Sequence, residues 1–130
     1  MAVLGLHHVQ LACPTGSEDA LREFYGGVVG LPEIPKPPAL AVRGGVWFRV
    51  GQQELHCGVE EGFAPARKAH PAFAVDDVDA IAGAVVRAGG EVHWDASIPG
   101  VRRFHTIDPI GNRVEFQLAR PDHVTEEQAP

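Results

Sequence analysis

The sequence predicts an α+β fold in which one structural unit, βαβββ, is used twice. Three observations support this: the 130 residues fit a single domain, a strand, a helix and three strands can be placed in the first half, and the same order restarts after about 60 residues. We expect one domain over residues 1–119, with module 1 at about 3–60, module 2 at about 69–118 and a polar tail at 120–130.

Module 1 begins with an alternating apolar segment from Val3 to Ala12, which predicts a strand. Apolar residues then recur at the spacing of one helix face and end before Gly30; they are Leu21, Phe24, Tyr25 and Val28. The prolines of residues 32–40 predict a loop that leads into an edge strand. Two strands follow around a tight turn at residues 51–53, over residues 46–50 and 54–59.

Module 2 repeats this order after a linker at residues 62–68. Its first strand is predicted at residues 69–75, and Asp76 or Asp77 is expected to cap a helix that ends at Gly89 and Gly90. Three short strands complete the module, with the turn Asp108 to Asn112 before the last; they are residues 91–94, 102–107 and 113–118.

The overall charge indicates a small-molecule or protein partner. Eleven Lys and Arg against seventeen Asp and Glu give a net charge of −6, which argues against nucleic-acid binding and against attraction to anionic membranes. No apolar stretch approaches the length of a membrane span, and Cys13 and Cys57 form no Cys-x-x-Cys pair. We expect a cytoplasmic protein.

Strand parity selects one histidine in the first strand of each module. Successive side chains point to opposite faces of a sheet, so Val9 and Leu11 facing the helix place His8 on the other face, and His7 on the helix side. In module 2 the same reasoning places His70 on the face away from the helix. Equivalent histidines in two repeats favour a metal site over two isolated polar residues.

The last strand of each module adds acidic or imidazole groups on the same face. Glu115 lies between apolar Val114 and Phe116, where a lone carboxylate is costly unless it is paired, protonated or bound to a cation. In module 1 both Glu54 and His56 lie on the corresponding face, and either fits as a fourth ligand. The other histidines, His93, His105 and His123, are interpreted as surface or pocket-lining groups.

This mixed imidazole and carboxylate set predicts a divalent metal: Fe(II), Zn, Ni, Mn or Co. Open coordination positions would allow two neighbouring substrate oxygens to bind, with Glu54 or Glu115 as the proton-handling groups. For the substrate pocket we expect Trp47, Phe104 and His105, with Arg102 or Arg103 holding an anionic group.

At these residues the chain resembles the vicinal oxygen chelate superfamily, which includes glyoxalases, extradiol dioxygenases, fosfomycin resistance enzymes and bleomycin resistance proteins. The resemblance covers about residues 3–119, and its most specific segments are LHHVQL, EFYGGVVGLP, AHPAFAV and FHTIDPIGNRVEF. It implies a cup formed by a mixed sheet with helices outside, a homodimer, and metal ligands at His8, His56, His70 and Glu115.

Two functions remain from the sequence. The first is a metal-dependent lyase, isomerase, transferase or dioxygenase acting on a small substrate with vicinal oxygens. The second is a metal-free protein of the bleomycin-resistance type that sequesters a small molecule in a cup lined by aromatic residues: Trp47, Phe48, Trp94 and Phe104. The shared placement of His8, His70 and Glu115 favours the enzyme, because a sequestering protein has no need of it.

Overall fold

The computed structural model describes residues 1–120 and contains two four-stranded mixed sheets. Module 1 comprises β1 (His8–Cys13), α1 (Glu18–Leu21), a π-helix (Arg22–Val28), β2 (Glu33–Ile34), α2 (Pro38–Ala41), β3 (Val46–Val50) and β4 (Gln53–Val59). Module 2 comprises β5 (Ala72–Val75), α3 (Val78–Arg87), β6 (His93–Trp94), β7 (Arg103–Ile107) and β8 (Arg113–Leu118). The predicted tail from residue 121 onward, with His123, lies outside the described residues.

The two sheets have the same strand order. Module 1 is arranged β1-β4-β3-β2 and module 2 is arranged β5-β8-β7-β6, so the first strand of each module lies beside the last. That pair is parallel in both modules, whereas the remaining pairs are antiparallel. The predicted α+β fold and its repeated βαβββ order are therefore confirmed.

Several element boundaries differ from the sequence-based predictions. The first strand begins at His8, because the pairing with β4 begins there, and the apolar residues before it are exposed. The single predicted helix is a short α1 that continues as a π-helix, in which the Val29 amide donates to the Phe24 carbonyl five residues earlier. The proline-rich segment contains the expected edge strand β2 and also the short helix α2.

A shared apolar core joins the two modules. Core side chains come from alternate positions of the inner strands and from the helices; they include Cys13, Leu21, Leu55, Phe73, Val85, Val114 and Phe116. The Asn112 side-chain amide donates to the Ala12 carbonyl at 2.8 Å, which ties the last turn of module 2 to β1. Because one face of each sheet is buried in this way, the polar residues of the same strands lie on the opposite face.

The helix of module 2 is capped as its sequence predicts. The Asp77 carboxylate accepts a hydrogen bond from the Ala80 amide at 3.0 Å and so satisfies one free amide of the first turn of α3. Within residues 1–120, no helix has the length and apolarity that a bilayer crossing requires.

Candidate metal centre

The strand register shows which residues of the two modules are equivalent. In module 1 Gln10 of β1 lies opposite His56 of β4, and in module 2 Ala72 of β5 lies opposite Glu115 of β8. Each of these pairs lies three positions before the end of its parallel ladder, at Cys13–Val59 and at Val75–Leu118, so His56 is the counterpart of Glu115. His8 and His70 are also counterparts, because each lies two residues before its register position. Glu54 pairs with His8 itself and has no such relationship to Glu115.

Two imidazoles of module 2 converge on one oxygen of the Glu115 carboxylate. His70 Nε2 lies 2.9 Å and His105 Nε2 lies 3.0 Å from Glu115 Oε1. His105 is directly opposite Glu115 in the antiparallel pair of β7 and β8, and His70 lies just before β5. We call these three residues the module 2 triad.

The protonation of His70 determines what this contact means. Its Nδ1 lies 2.8 Å from the Lys68 carbonyl oxygen, which can only accept, so Nδ1 carries a proton. If His70 is neutral, its Nε2 carries no proton, and the lone pair of Nε2 faces the Glu115 carboxylate. Two acceptors at 2.9 Å require a proton or a cation between them. Metal-binding histidines are commonly held by such a backbone carbonyl.

The second oxygen of Glu115 is held by two donors. Arg103 donates to Oε2 at 3.2 Å and the Gln117 amide donates to it at 2.6 Å. Glu115 is only 2% exposed. Burial raises the pKa of this carboxyl, but the hydrogen bonds from Gln117, His70 and Arg103 outweigh burial and lower the pKa to about 2. Glu115 is therefore an anion whose Oε1 faces both histidines.

The polar face of module 1 is built differently. The His56 ring stacks on Trp47 at 3.8 Å and on His8 at 4.2 Å between ring centroids, and His56 Nε2 lies 2.9 Å from Glu54 Oε1. The hydrogen bond with His56, followed by the charges of His7 and Arg49, lowers the pKa of Glu54. A carboxylate with a lowered pKa is a weak proton acceptor. We call His8, Trp47, Glu54 and His56 the module 1 cluster.

The structure does not gather the four predicted ligands into one group. Within residues 1–120, the module 2 triad is the single set of three or more His, Cys, Asp or Glu residues whose ligand atoms all lie within 4.8 Å of one another. Across the described residues, no hydrogen bond, ion pair or ring contact joins the triad to the module 1 cluster. His70 and Glu115 lie together, whereas His8 and His56 lie in the other module.

Sequence reasoning assigned His105 to the substrate pocket and did not include it among the ligands. The turn from Asp108 to Asn112 would have revealed its position, because a hairpin closed there places His105 opposite Glu115. Of the other predicted pocket residues, Trp47 is half-buried in its stack. Phe104 is 0% exposed and stacks on Phe116, so it offers no surface to a ligand in this structure.

The arginines predicted to hold an anion are already paired. Arg103 donates to Asp95 and to Ser97 at 3.0 Å, in addition to Glu115. Its guanidinium therefore holds the Glu115 carboxylate in position. Arg102 is bound to Asp79 on the surface and lies over the Trp94 ring.

Solved structures of glyoxalase-type proteins match nearly the whole chain. A glyoxalase family protein from Bacillus anthracis is 47% identical, with a TM-score of 0.88 over 92% of this chain and 98% of that chain. Lactoylglutathione lyase from Agrobacterium tumefaciens is 24% identical, with a TM-score of 0.71 over 92% and 96% of the two chains. The fosfomycin resistance protein FosX from Listeria monocytogenes is 15% identical, with a TM-score of 0.74 over 93% and 98%.

The similarity to the lyase and to FosX concerns the fold alone, whereas the similarity to the Bacillus anthracis protein also extends to the sequence. No protein-family model and no curated protein matches the chain. The identity to the Bacillus anthracis protein over nearly the full length of both chains, together with the repeated βαβββ fold, shows that the chain belongs to the glyoxalase family of the vicinal oxygen chelate superfamily.

Proposed function

We propose that this chain is a metal-dependent enzyme that acts on a small substrate with two adjacent oxygens. The observation that carries the proposal is the convergence of His70 Nε2 and His105 Nε2 on a single oxygen of buried Glu115. Two imidazoles and a carboxylate are a common donor set for a catalytic divalent metal.

The residues present fit such an ion. His70 is oriented by the Lys68 carbonyl, and Glu115 is oriented by Arg103 and Gln117, so each ligand is fixed by a neighbour that does not itself bind the metal. Fe(II), Zn, Ni, Mn and Co are all compatible with this set. A bound metal would act as a Lewis acid that polarises the substrate oxygens. The chain's own groups hold the ligands and exclude water around Glu115.

Lyase, isomerase, transferase and dioxygenase chemistry are all compatible with this donor set. The proteins of similar fold include one named as a lyase, one as a glyoxalase/dioxygenase and one as a fosfomycin resistance protein. These names support a small-molecule substrate. The buried, unpaired Cys13 and Cys57 are compatible with the reducing cytoplasm, where we place the enzyme.

The larger ligand set, with His8 and His56, remains part of the proposal. Since no contact joins the module 1 cluster to the triad within residues 1–120, a homodimer would be needed to bring the cluster of one copy to the triad of the other. In that arrangement the register favours His56 over Glu54 as the fourth ligand, because His56 is the counterpart of Glu115.

Metal analysis tests the proposal most directly. The purified chain should bind about one equivalent of a transition metal, and addition of Ni, Zn, Mn, Co or Fe(II) to chelator-treated protein should raise its melting temperature. Glu115→Gln should lower metal affinity by more than about a hundredfold and His105→Gln by about tenfold or more. His93→Gln is the matched control, because the exposed His93 side chain is hydrogen-bonded to Glu91 and is not one of the three triad ligands.

Two outcomes would contradict the proposal. One is a purified chain with no bound metal and no shift in melting temperature with any of the five ions. The other is a Glu115→Gln variant that binds metal as tightly as the unmodified chain. The first result would leave the metal-free binding protein as the function of this chain, and the second would show that the metal does not bind at the triad. Light scattering of the same samples tests the homodimer.

A further inference from the structure

A cavity of about 440 Å³ lies next to the module 2 triad. His105 belongs to both, because its Nε2 contacts Glu115 and the residue is part of the cavity wall. Part of the wall comes from the linker between the modules at Pro65 and Arg67, and part from the sheet at Ile107 and Arg113. The cavity is therefore a partly open cleft between the linker and the polar face of module 2.

Two arginines in this wall, Arg67 and Arg113, have no side-chain partner among the described residues. Within residues 1–120, the side chains of Arg67 and Arg113 make no hydrogen bond, ion pair or ring contact. Arg22, Arg102 and Arg103, in contrast, each bind a carboxylate. An unpaired guanidinium on a partly enclosed surface is a ready donor for an anion, and it can form two parallel hydrogen bonds to a carboxylate or phosphonate.

The charge of the cavity is opposite to that of the protein. The net charge is −6, yet no Asp or Glu lines this cavity. His93, at the cavity edge, adds a further nitrogen that is 3.2 Å from the exposed Glu91. Cationic walls in a low-dielectric cleft concentrate anions there even when the whole protein is acidic.

On the linker side, the cavity wall is closely packed against the turn between β7 and β8. Gly111 has φ +96°, and a Cβ atom there would lie 3.1 Å from Pro65 Cγ, so the linker packs directly on the turn between β7 and β8. Pro65 and Ile107 give the cavity an apolar part. Arg113 lies two residues before Glu115 on the same face of β8, so the cavity and the triad share one face of the sheet.

We propose that this cavity binds the substrate through an anionic group, a carboxylate or a phosphonate, held by Arg67 and Arg113, with the apolar part of the molecule against Pro65 and Ile107. The assignment as a substrate site rests on the proposed metal enzyme, whose triad adjoins the cavity. It defines the substrate class as a small anion with an apolar body and two adjacent oxygens. Arg67 and Arg113 are thus specificity-determining residues.

Titration of the full chain with three probes tests this proposal. Benzoate and phenylphosphonate carry the two anionic groups on the same apolar ring, and benzamide is the neutral control. Isothermal calorimetry is run on the protein as purified and after chelator treatment, so that binding through a metal is separated from binding through arginine. We expect at least one anion to bind in both states, more weakly as salt increases, and about tenfold or more tightly than benzamide.

The variant Arg67→Gln/Arg113→Gln should weaken that anion's binding by about tenfold or more. Arg43→Gln is the matched control, because Arg43 is exposed in another part of the chain and its side chain has no partner within residues 1–120. Arg67→Gln alone, in the exposed linker, keeps the test valid where the double variant fails to fold, and it should weaken binding by about threefold or more.

The result that would overturn the proposal is binding of neither anion below about 10 mM, or equal affinity for the double variant and the unmodified chain. A loss with Arg43→Gln as large as with the double variant would do the same. Glu115→Gln separates the two proposals, since it should abolish metal binding and leave anion affinity within about threefold. Anion binding in a chain that takes up no metal would retain the cavity and reject the metal enzyme.

Discussion

The Tyr25 hydroxyl donates a hydrogen bond to Asp108 Oδ2 at 2.7 Å, which joins the π-helix of module 1 to the last turn of module 2. Both side chains are buried. The other oxygen of Asp108 accepts from the amides of Ile110 and Asn112, so Tyr25 is the donor that satisfies Oδ2. Burial raises the pKa of Asp108, and these hydrogen bonds partly oppose that effect.

Tyr25→Phe should therefore lower the free energy of unfolding by about 1–3 kcal/mol, because a buried carboxylate oxygen loses its donor. Urea denaturation provides the measurement. A double-mutant cycle with Asp108→Ala should give a coupling energy of about 1 kcal/mol or more. Simple additivity of the two single variants would contradict a stabilising bond between the modules.

Gly45 lies directly before β3 in a conformation that other residues rarely adopt. Its φ is +88°, and a Cβ atom would lie 2.2 Å from the Cys57 carbonyl oxygen. Gly45→Ala should cost more than about 3 kcal/mol, since it combines backbone strain with a clash against main chain. Gly51→Ala is the control: its φ is +59° and nothing lies within 4 Å, so only about 1 kcal/mol of strain is expected. Equal losses in thermal unfolding would contradict this explanation.

Glu18 should make folding stability depend on pH in the acidic range. Its Oε2 accepts from the Gly45 amide at 2.7 Å, and this hydrogen bond is the main cause that lowers the pKa of Glu18. Because the folded pKa lies below the unfolded one, the contribution is present above the unfolded value and is lost as pH falls through the folded value.

Glu18→Gln should accordingly flatten the decline of unfolding free energy below about pH 4.5. Urea denaturation at a series of pH values measures it. Glu23→Gln, which removes an exposed carboxylate of the same helical segment, shows how much of any change comes from net charge alone. An unchanged decline in Glu18→Gln would show that the hydrogen bond to Gly45 does not stabilise the fold.

Arg103 is a positioning residue for the triad, since it contacts Glu115 Oε2 and leaves Oε1 to the histidines. Arg103→Gln should lower metal affinity about ten- to a hundredfold, with Arg103→Lys less affected because it retains the charge. Arg102→Gln is the control, because neighbouring Arg102 binds Asp79 instead. Metal titration of the three variants measures the difference, and equal affinities would remove Arg103 from this role.

The fourth ligand can be assigned by comparing two residues of β4. His56→Gln should lower metal affinity about tenfold or more, whereas Glu54→Gln should change it by less than about threefold, because the register makes His56 the counterpart of Glu115. Competition against a metal chelator gives both affinities. The reverse order would assign the position to Glu54.

The fold could be predicted from the sequence because each strand and helix buries one face, and that face determines the spacing of its apolar residues. The alternation around His8 and around Glu115 was sufficient to separate polar from core-facing side chains. The first helix was predicted as a whole, but its π-helical part was not, since apolar spacing does not distinguish hydrogen-bonding patterns within a helix. The exposed start of the chain was predicted as strand because alternation does not show whether a partner strand is present.

The sequence by itself determined two βαβββ modules, the polar faces of their strands, and the likeness of His8 to His70. Only the tertiary structure decided that His105 completes a triad with His70 and Glu115, and that Arg103 is occupied by Glu115 while Arg67 and Arg113 have no side-chain partner within residues 1–120. The physical reason is register: parity selects the face of a strand, whereas pairing with neighbouring strands sets which residues on that face meet.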